Sequence, residues 1–149
     1  MKQTTKATQR PLSLANISHF LLGLLFYIAL DIAWIQLVVY PMYADRLGIQ
    51  MIQPNQLDWR VGLGTWLIIV LGYRIFAYPR AIASGDLGLI ALWGGLYGLV
   101  VYGVFTLTNL AVLRCWSTQL AIGDVLSGIG LCTMLSLFMC RGKVRSIRS

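Results

Sequence analysis

The sequence contains few charged residues and no glutamate. Charged side chains make up 11% of the 149 residues, whereas soluble domains usually carry about a quarter. The five acidic residues are all aspartates. A water-exposed surface of ion-paired helices cannot be built from so few charges. The hydrophobic content of 58% and the mean hydropathy of +0.73 indicate a chain that is surrounded largely by lipid.

Motifs for metal binding and for nucleophilic catalysis are missing from the sequence. The single histidine is His19, near the beginning of the first apolar run. The three cysteines, at positions 115, 132 and 140, form no Cys-x-x-Cys pair and have no histidine at ligand spacing. Walker, Rossmann, nucleophile-elbow and zincin patterns are missing too. We expect no metal and no cofactor. A non-enzymatic role is favoured, and catalysis stays open.

The excess of basic residues does not indicate a nucleic-acid-binding protein. The formal net charge is +7, but the lysines and arginines lie at the chain ends and between apolar runs, and form no stripe along a helix. This placement is typical of the signals that orient a membrane protein. We expect the lipid bilayer to be the main partner, with no nucleic acid. A second copy of the chain or another membrane protein is an open alternative.

Four apolar runs are each long enough for the ~20 residues that a bilayer requires. The first contains an aspartate and no small-residue cleavage pattern follows it, so we expect a retained helix and not a signal peptide. The runs predict helices at about 16–40, 59–78, 87–110 and 116–139.

The links between these runs predict the topology. The second and third links are short, which makes sequential helices antiparallel neighbours. The first link, 41–58, contains two prolines, a glycine and three charged residues, so we expect it to leave the membrane as a loop. The predicted fold class is all-α: a four-helix transmembrane up-down bundle over 16–140. Basic tails at 1–15 and 141–149 flank it.

The distribution of basic residues predicts the orientation of the bundle. In an up-down bundle, nine basic residues fall on the side of the two termini and the second link, and three on the other side. Because cytoplasmic segments carry the excess of lysine and arginine, we expect both termini in the cytoplasm. The two sets are Lys2, Lys6, Arg10, Arg74, Arg80, Arg141, Lys143, Arg145 and Arg148 against Arg46, Arg60 and Arg114.

Two aspartates are predicted to lie inside the bilayer. Asp31 lies nine residues, or about 13 Å, from the outer end of the first helix, and Asp124 lies eight residues, or about 12 Å, from that of the fourth. A charged residue at the centre of a membrane helix costs roughly 2.5–3.5 kcal/mol on insertion scales, so such residues usually face the bundle interior. We expect both carboxyl groups at one level.

Other polar residues share this level or approach it. Tyr102, Thr106 and Asn109 are spaced by four and three residues, which places them on one face of the third helix. Tyr27 and Trp34 share a face of the first helix with the aspartate at position 31. If the faces converge, the bundle contains a polar, aromatic-lined pocket that opens outward. Interhelical hydrogen bonding, a ligand or proton site and a catalytic site all remain open interpretations.

Small residues indicate where helix backbones approach one another. Gly94 and Gly98 form a GxxxG pair on the third helix, and Gly123 and Ser127 form a similar small-residue pair on the fourth. Such pairs allow close contact between membrane helices.

A known family shares several of these features. The segment 102–111, followed by Trp116 and Asp124, resembles the signature of a small bacterial membrane-protein family catalogued as domain of unknown function 2177. The stretch 31–34 and the tryptophan-containing start of the second helix are also similar, and the resemblance covers about 17–139. It implies a four-span, multi-pass protein of the bacterial inner membrane, and it implies no established activity.

The sequence departs from this family's pattern at two positions. Thr106 stands where the family usually has an acidic residue, and Ser127 stands where it usually has a tryptophan. A proton-relay or aromatic-cage role is therefore not carried over to the third and fourth helices.

Our leading hypothesis is a non-enzymatic membrane protein with a polar pocket near the outer leaflet. It would hold a small ligand there, or support a partner as an accessory or scaffold protein. The alternative is a membrane-embedded enzyme that modifies lipids, with one aspartate as acid or base. A small transporter or proton-path subunit is a third hypothesis, and with four helices per chain it would act most easily as an oligomer. The candidate pocket residues are Tyr27, Asp31, Trp34, Tyr102, Thr106, Asn109 and Asp124.

Overall fold

The structure, a computed structural model, describes residues 14–47 and 58–147, and every regular element in these two stretches is helical. No strand occurs within them. Two short π-helical segments, Ile35–Val39 and Tyr73–Ala77, join α-helices that would otherwise be separate. The α-helices are α1 (Leu14–Trp34), α2 (Tyr40–Leu47), α3 (Trp59–Gly72), α4 (Tyr78–Ser84), α5 (Leu87–Val112) and α6 (Thr118–Ile147).

These helices combine into four spans that are long and apolar enough to cross a membrane. The predicted all-α fold with four spans is confirmed. The spans are Leu14–Ala44, Trp59–Ser84, Leu87–Val112 and Thr118–Gly142.

Both π-helical segments lie immediately before a Tyr-Pro pair. Proline has no N–H, and its ring clashes with the carbonyl group four residues earlier in an α-helix. A wider π turn moves that carbonyl aside, and the helix continues. In each case the tyrosine N–H bonds five residues back: Tyr40 to the carbonyl of Ile35, and Tyr78 to that of Tyr73.

The π turns explain why the first two spans are longer than predicted. The sequence predicts that the first helix ends near Tyr40, because Pro41 follows, but helical structure continues to Leu47. The second continues past the predicted end at 78 to Ser84. There Gly85 adopts a φ of 65°, which only glycine adopts without strain. The remainder of the predicted first loop, 48–57, lies outside the described residues.

The four spans pack in a ring. α1 packs against α3 and α6, α4 packs against α5 and α6, and α5 packs along α6. The first and fourth spans are antiparallel, because the ring of His19 bonds to the carbonyl of Met139 at one end and Tyr43 bonds to Asp124 at the other. The up-down arrangement is therefore confirmed. We call its two ends the Trp116 end and the Asp86 end.

The closest helix contact lies between α5 and α6. A Cβ atom at Gly98 would overlap the carbonyl group of Gly128, and one at Gly94 would overlap the backbone of Cys132 and the side chain of Ser136. The predicted close approach at the α5 glycines is confirmed. The small-residue pair of Gly123 and Ser127 lies away from this contact, because a Cβ atom at Gly123 would meet Met42 of α2.

Candidate functional site

Polar side chains from all four spans meet around a cavity in the half of the bundle nearer the Trp116 end. The cavity has a volume of about 420 Å³. Its walls are mostly apolar, with two carboxyl groups, two tyrosines, a tryptophan and two hydroxyl side chains among them. The lining residues are Asp31, Trp34, Ile35, Val39, Tyr43, Thr65, Ile68, Ile69, Val101, Tyr102, Phe105, Asp124, Ser127 and Leu131.

Asp31 is held from the second span. Its side chain is only 8% exposed, and its Oδ2 atom accepts a hydrogen bond from the indole Nε1 of Trp66, at 2.7 Å. Trp66 is itself buried in the core. A buried carboxyl group without a donor would be costly, so this bond offsets part of the cost of burial. The contact fixes one oxygen of Asp31.

Asp124 is held from α2. Its side chain is 6% exposed, and the hydroxyl group of Tyr43 lies 2.6 Å from one of its carboxyl oxygens and 2.7 Å from the other. The single hydroxyl proton is therefore placed between the two oxygens. Trp116 supports this arrangement, because its ring packs edge-on against the ring of Tyr43. The extension of the first span through the π turn brings Tyr43 into position.

Two tyrosines beside the cavity bond to each other. The hydroxyl groups of Tyr27 and Tyr102 form a short hydrogen bond, and Tyr27 is completely buried. The hydroxyl group of Tyr102 thus has a tyrosine as its partner. The two aspartates take their hydrogen bonds from separate donors, Trp66 and Tyr43.

The residues towards the Trp116 end form an outer layer. Thr106 is completely buried, and its hydroxyl oxygen accepts a bond from Nε1 of Trp116 at 3.0 Å. Asn109 is half-buried one turn further along α5, where its carbonyl group accepts the N–H of Leu113. Neither residue lines the cavity.

Four of the seven candidate residues therefore line the cavity, and three surround it. Asp31, Trp34, Tyr102 and Asp124 contribute to the walls. The other three are Tyr27, Thr106 and Asn109, which lie behind the wall or outward of it.

Trp34 carries an unsatisfied donor at this site. Its indole Nε1 is buried and has no hydrogen-bond partner among the described residues. Trp34 lines the cavity on the face of α1 that also carries Asp31. Buried N–H groups in folded proteins are nearly always paired, so this exception needs a physical reason. Less than 1 Å² of this nitrogen is accessible, so a molecule in the cavity does not reach it in this conformation.

The cavity opens sideways between α3 and α5. These two helices make few close approaches, unlike α4 and α5 at the opposite end. Ile68 on α3 is 72% exposed and Phe105 on α5 is 54% exposed, although both line the cavity. Exposed apolar side chains within a span face hydrocarbon, so the opening faces the acyl chains of the bilayer.

Sequence reasoning missed three residues of the site: Tyr43, Trp66 and Ser127. Tyr43 falls in the predicted loop, because a proline at position 41 normally ends a helix. Tyr43 lies twelve residues after Asp31, and steps of four residues keep side chains on one helix face. This spacing could have identified Tyr43 if the helix had been predicted to continue. For Trp66 the sequence showed only a tryptophan in the middle of a predicted span, which does not identify its partner. Ser127 was predicted at a helix contact, and it lines the cavity while its hydroxyl group bonds to the carbonyl of Gly123 at 2.6 Å.

A comparison with protein families identifies the chain at family level. The family model described as "Predicted membrane protein (DUF2177)" matches residues 16–140. The chain belongs to this family. No curated protein and no solved structure matches it. The DUF2177 match covers all four spans up to residue 140, and its description names a membrane protein without an activity.

The side chains that line the cavity of this DUF2177 protein supply hydrogen-bonding groups and charge. Within 14–47 and 58–147, no three histidine, cysteine, aspartate or glutamate residues lie close enough to hold a metal ion. No lysine or arginine lines the cavity. The site therefore offers carboxyl acceptors, hydroxyl groups and aromatic rings in an apolar enclosure.

Proposed function

We propose that this protein binds an amphiphilic molecule that enters its cavity from the bilayer. The observation that carries the proposal is the combination of a lateral, apolar opening with two buried carboxyl groups at the cavity wall. A volume of about 420 Å³ lies in the range of sites for small molecules, roughly 300–1,000 Å³. The orientation deduced from basic residues would place this cavity near the outer leaflet of a bacterial inner membrane.

The acceptor groups at the wall support a ligand with a hydrogen-bond donor. Oδ2 of Asp31 accepts from Trp66, and its Oδ1 remains for a ligand. A hydroxyl group or an amine donates to this oxygen, whereas a carboxylate or phosphate would meet two carboxyl groups and no cation. The headgroup is therefore an amine or a hydroxyl group.

The walls also support a hydrocarbon tail. Ile35, Val39, Ile68, Val101 and Phe105 provide apolar surface on the path from the opening to the aspartates. Burying such surface contributes about 25 cal/mol per Å² when the ligand comes from water. A ligand that comes from lipid gains less, so its headgroup contacts would decide its selectivity.

The test compares amphiphiles of one chain length with different headgroups. Purified protein in detergent is titrated with dodecylamine, dodecanol or dodecanoate, and bound molecules are counted by native mass spectrometry. We expect saturable binding of one molecule of dodecylamine or of dodecanol per protein, and no saturable binding of dodecanoate. Saturable binding of the carboxylate alone would contradict the proposed headgroup, and absence of saturable binding for all three would contradict the function.

A matched pair of variants locates the binding. Thr65 is exposed at the opening and lines the cavity, while Leu63 is exposed on the same helix and does not. Thr65→Trp should obstruct entry and abolish saturable binding, and Leu63→Trp should leave it unchanged. Equal effects of the two substitutions would place the binding elsewhere on the protein.

A further inference from the structure

Three arginines at the Asp86 end are held against aromatic rings. The guanidinium of Arg74 lies 3.9 Å from the ring centre of Tyr78, that of Arg141 lies 4.0 Å from Phe138, and Arg80 lies 5.5 Å from Trp93. Stacking of this kind contributes about 0.5–1 kcal/mol at exposed sites. It also restricts the arginine side chains before any partner arrives.

These arginines have no anionic partner within the described part of the chain. No ion pair joins any of them to an aspartate there. The one acidic residue of the described chain at this end is Asp86, and its carboxyl group accepts the N–H of Leu89 at 2.9 Å as the cap of α5. The positive charge at this end is therefore not balanced by the protein itself.

A groove of about 240 Å³ lies beside two of these arginines. Arg141 and His19 line it, together with the Tyr78 ring on which Arg74 stacks. Nε2 of His19 is 2.9 Å from the carbonyl oxygen of Met139, so this nitrogen donates and the ring is fixed in the groove. The rest of the lining is mainly apolar: Leu22, Ile82, Phe138 and Met139, with Gly142 at the edge.

We propose that this groove binds one molecule of an anionic glycerophospholipid from the surrounding bilayer. The phosphate group lies against Arg141 and within reach of Arg74, and an acyl chain lies along Leu22 and Ile82. Guanidinium groups match phosphate oxygens with paired, charge-assisted hydrogen bonds. Basic residues at the membrane surface attract anionic lipid, each with about 1 kcal/mol. The groove adds to this general attraction a defined apolar contact below the charged group.

The groove favours a lipid of net negative charge over a zwitterionic one. A zwitterionic headgroup brings an ammonium group together with its phosphate, and this ammonium would lie among arginines with no carboxylate of the described chain free to receive it. A headgroup with a glycerol or a second phosphate brings no positive charge. The groove therefore selects on net charge and not on the presence of a phosphate alone.

The experiment measures lipid retention on the full chain. Protein purified in detergent is first loaded with phosphatidylglycerol and is then incubated with phosphatidylethanolamine or inorganic phosphate. The adducts are resolved by native mass spectrometry. We expect one tightly held phosphatidylglycerol, which neither phosphatidylethanolamine nor inorganic phosphate displaces. Displacement by phosphatidylethanolamine at equal concentration would overturn the charge selection. Displacement by inorganic phosphate would overturn the lipid assignment.

Three arginine variants locate the adduct. Arg141→Gln should weaken retention of phosphatidylglycerol about fivefold, which is the loss of one such contact, and Arg74→Gln should weaken it similarly. Arg114→Gln, at an exposed arginine near the Trp116 end, should leave retention unchanged. Equal retention by all three variants, or equal loss, would overturn the site. Since Arg141 is exposed, its substitution leaves the core intact, and the thermal unfolding temperature of each variant checks this.

Discussion

Substitution of Gly98 by alanine tests the close contact of α5 and α6. The new Cβ atom would overlap the carbonyl group of Gly128 on the facing helix. The alanine Cβ and this carbonyl are both fixed by the backbone, so no side-chain rotation relieves the overlap, and the helices must separate. Overpacking of this kind costs typically about 1–3 kcal/mol. Replacing glycine by alanine also raises helix propensity, by about 1 kcal/mol at most.

A matched control removes the helix-propensity contribution. A Cβ atom at Gly64 on α3 would meet nothing within 4 Å, so Gly64→Ala gains the same propensity without the overlap. The free energy of unfolding of the two variants should therefore differ by about 1–3 kcal/mol. Reversible unfolding in mixed micelles of dodecyl sulfate, followed by tryptophan fluorescence, measures it. A difference below about 0.5 kcal/mol, the usual error of such additivity, would refute the backbone contact.

Three further predictions concern the aspartates and the orientation. Tyr43→Phe removes the hydroxyl donor that Tyr43 supplies to the buried carboxyl group of Asp124, so it should lower the free energy of unfolding by about 1–3 kcal/mol in the same assay; an unchanged value would show that the bond is not formed. Asp31→Asn keeps an acceptor for Trp66 and should preserve stability, whereas Asp31→Leu leaves the indole N–H unpaired and should cost about 1–3 kcal/mol; equal stability of both variants would contradict that pairing. For the orientation, a cysteine at Gly48, outside the described residues, should react with an impermeant maleimide only from the outer side once the native cysteines are replaced, and labelling only from the cytoplasm would reverse it.

The spans were predictable because their signal is local. A run of about 20 apolar residues can be read without knowledge of its neighbours, and all four are confirmed. The continuation of the first span through Pro41 was not predicted. A proline normally ends a helix, but the π turn before the Tyr-Pro pair lets this helix continue.

The candidate site was partly predictable for a similar reason. The depth of Asp31 and Asp124 follows from counting residues along each helix, and both reach the same cavity. Their donors, Trp66 and Tyr43, depend on the rotation of each helix about its axis. The apolar content is too uniform around each span to show that rotation. Because the helix rotation is not visible in the sequence, Gly98 could be identified as a position of close contact, but its partner Gly128 could not.

The contact between α5 and α6 also makes the bundle mechanically uneven. These two helices meet backbone to backbone and have little freedom to separate, so they form a stiff half. α3 is held by the packing of Trp66, Ile69 and Val70 in the core and by side-chain bonds, such as that of Trp66 to Asp31 and that of the Tyr97 hydroxyl to the carbonyl of Ile69. A displacement of α3 away from α5 breaks the Tyr97 bond but no backbone contact as close as that of α5 with α6, and it widens the lateral opening. The wall of the cavity that faces the bilayer is therefore also its most compliant wall.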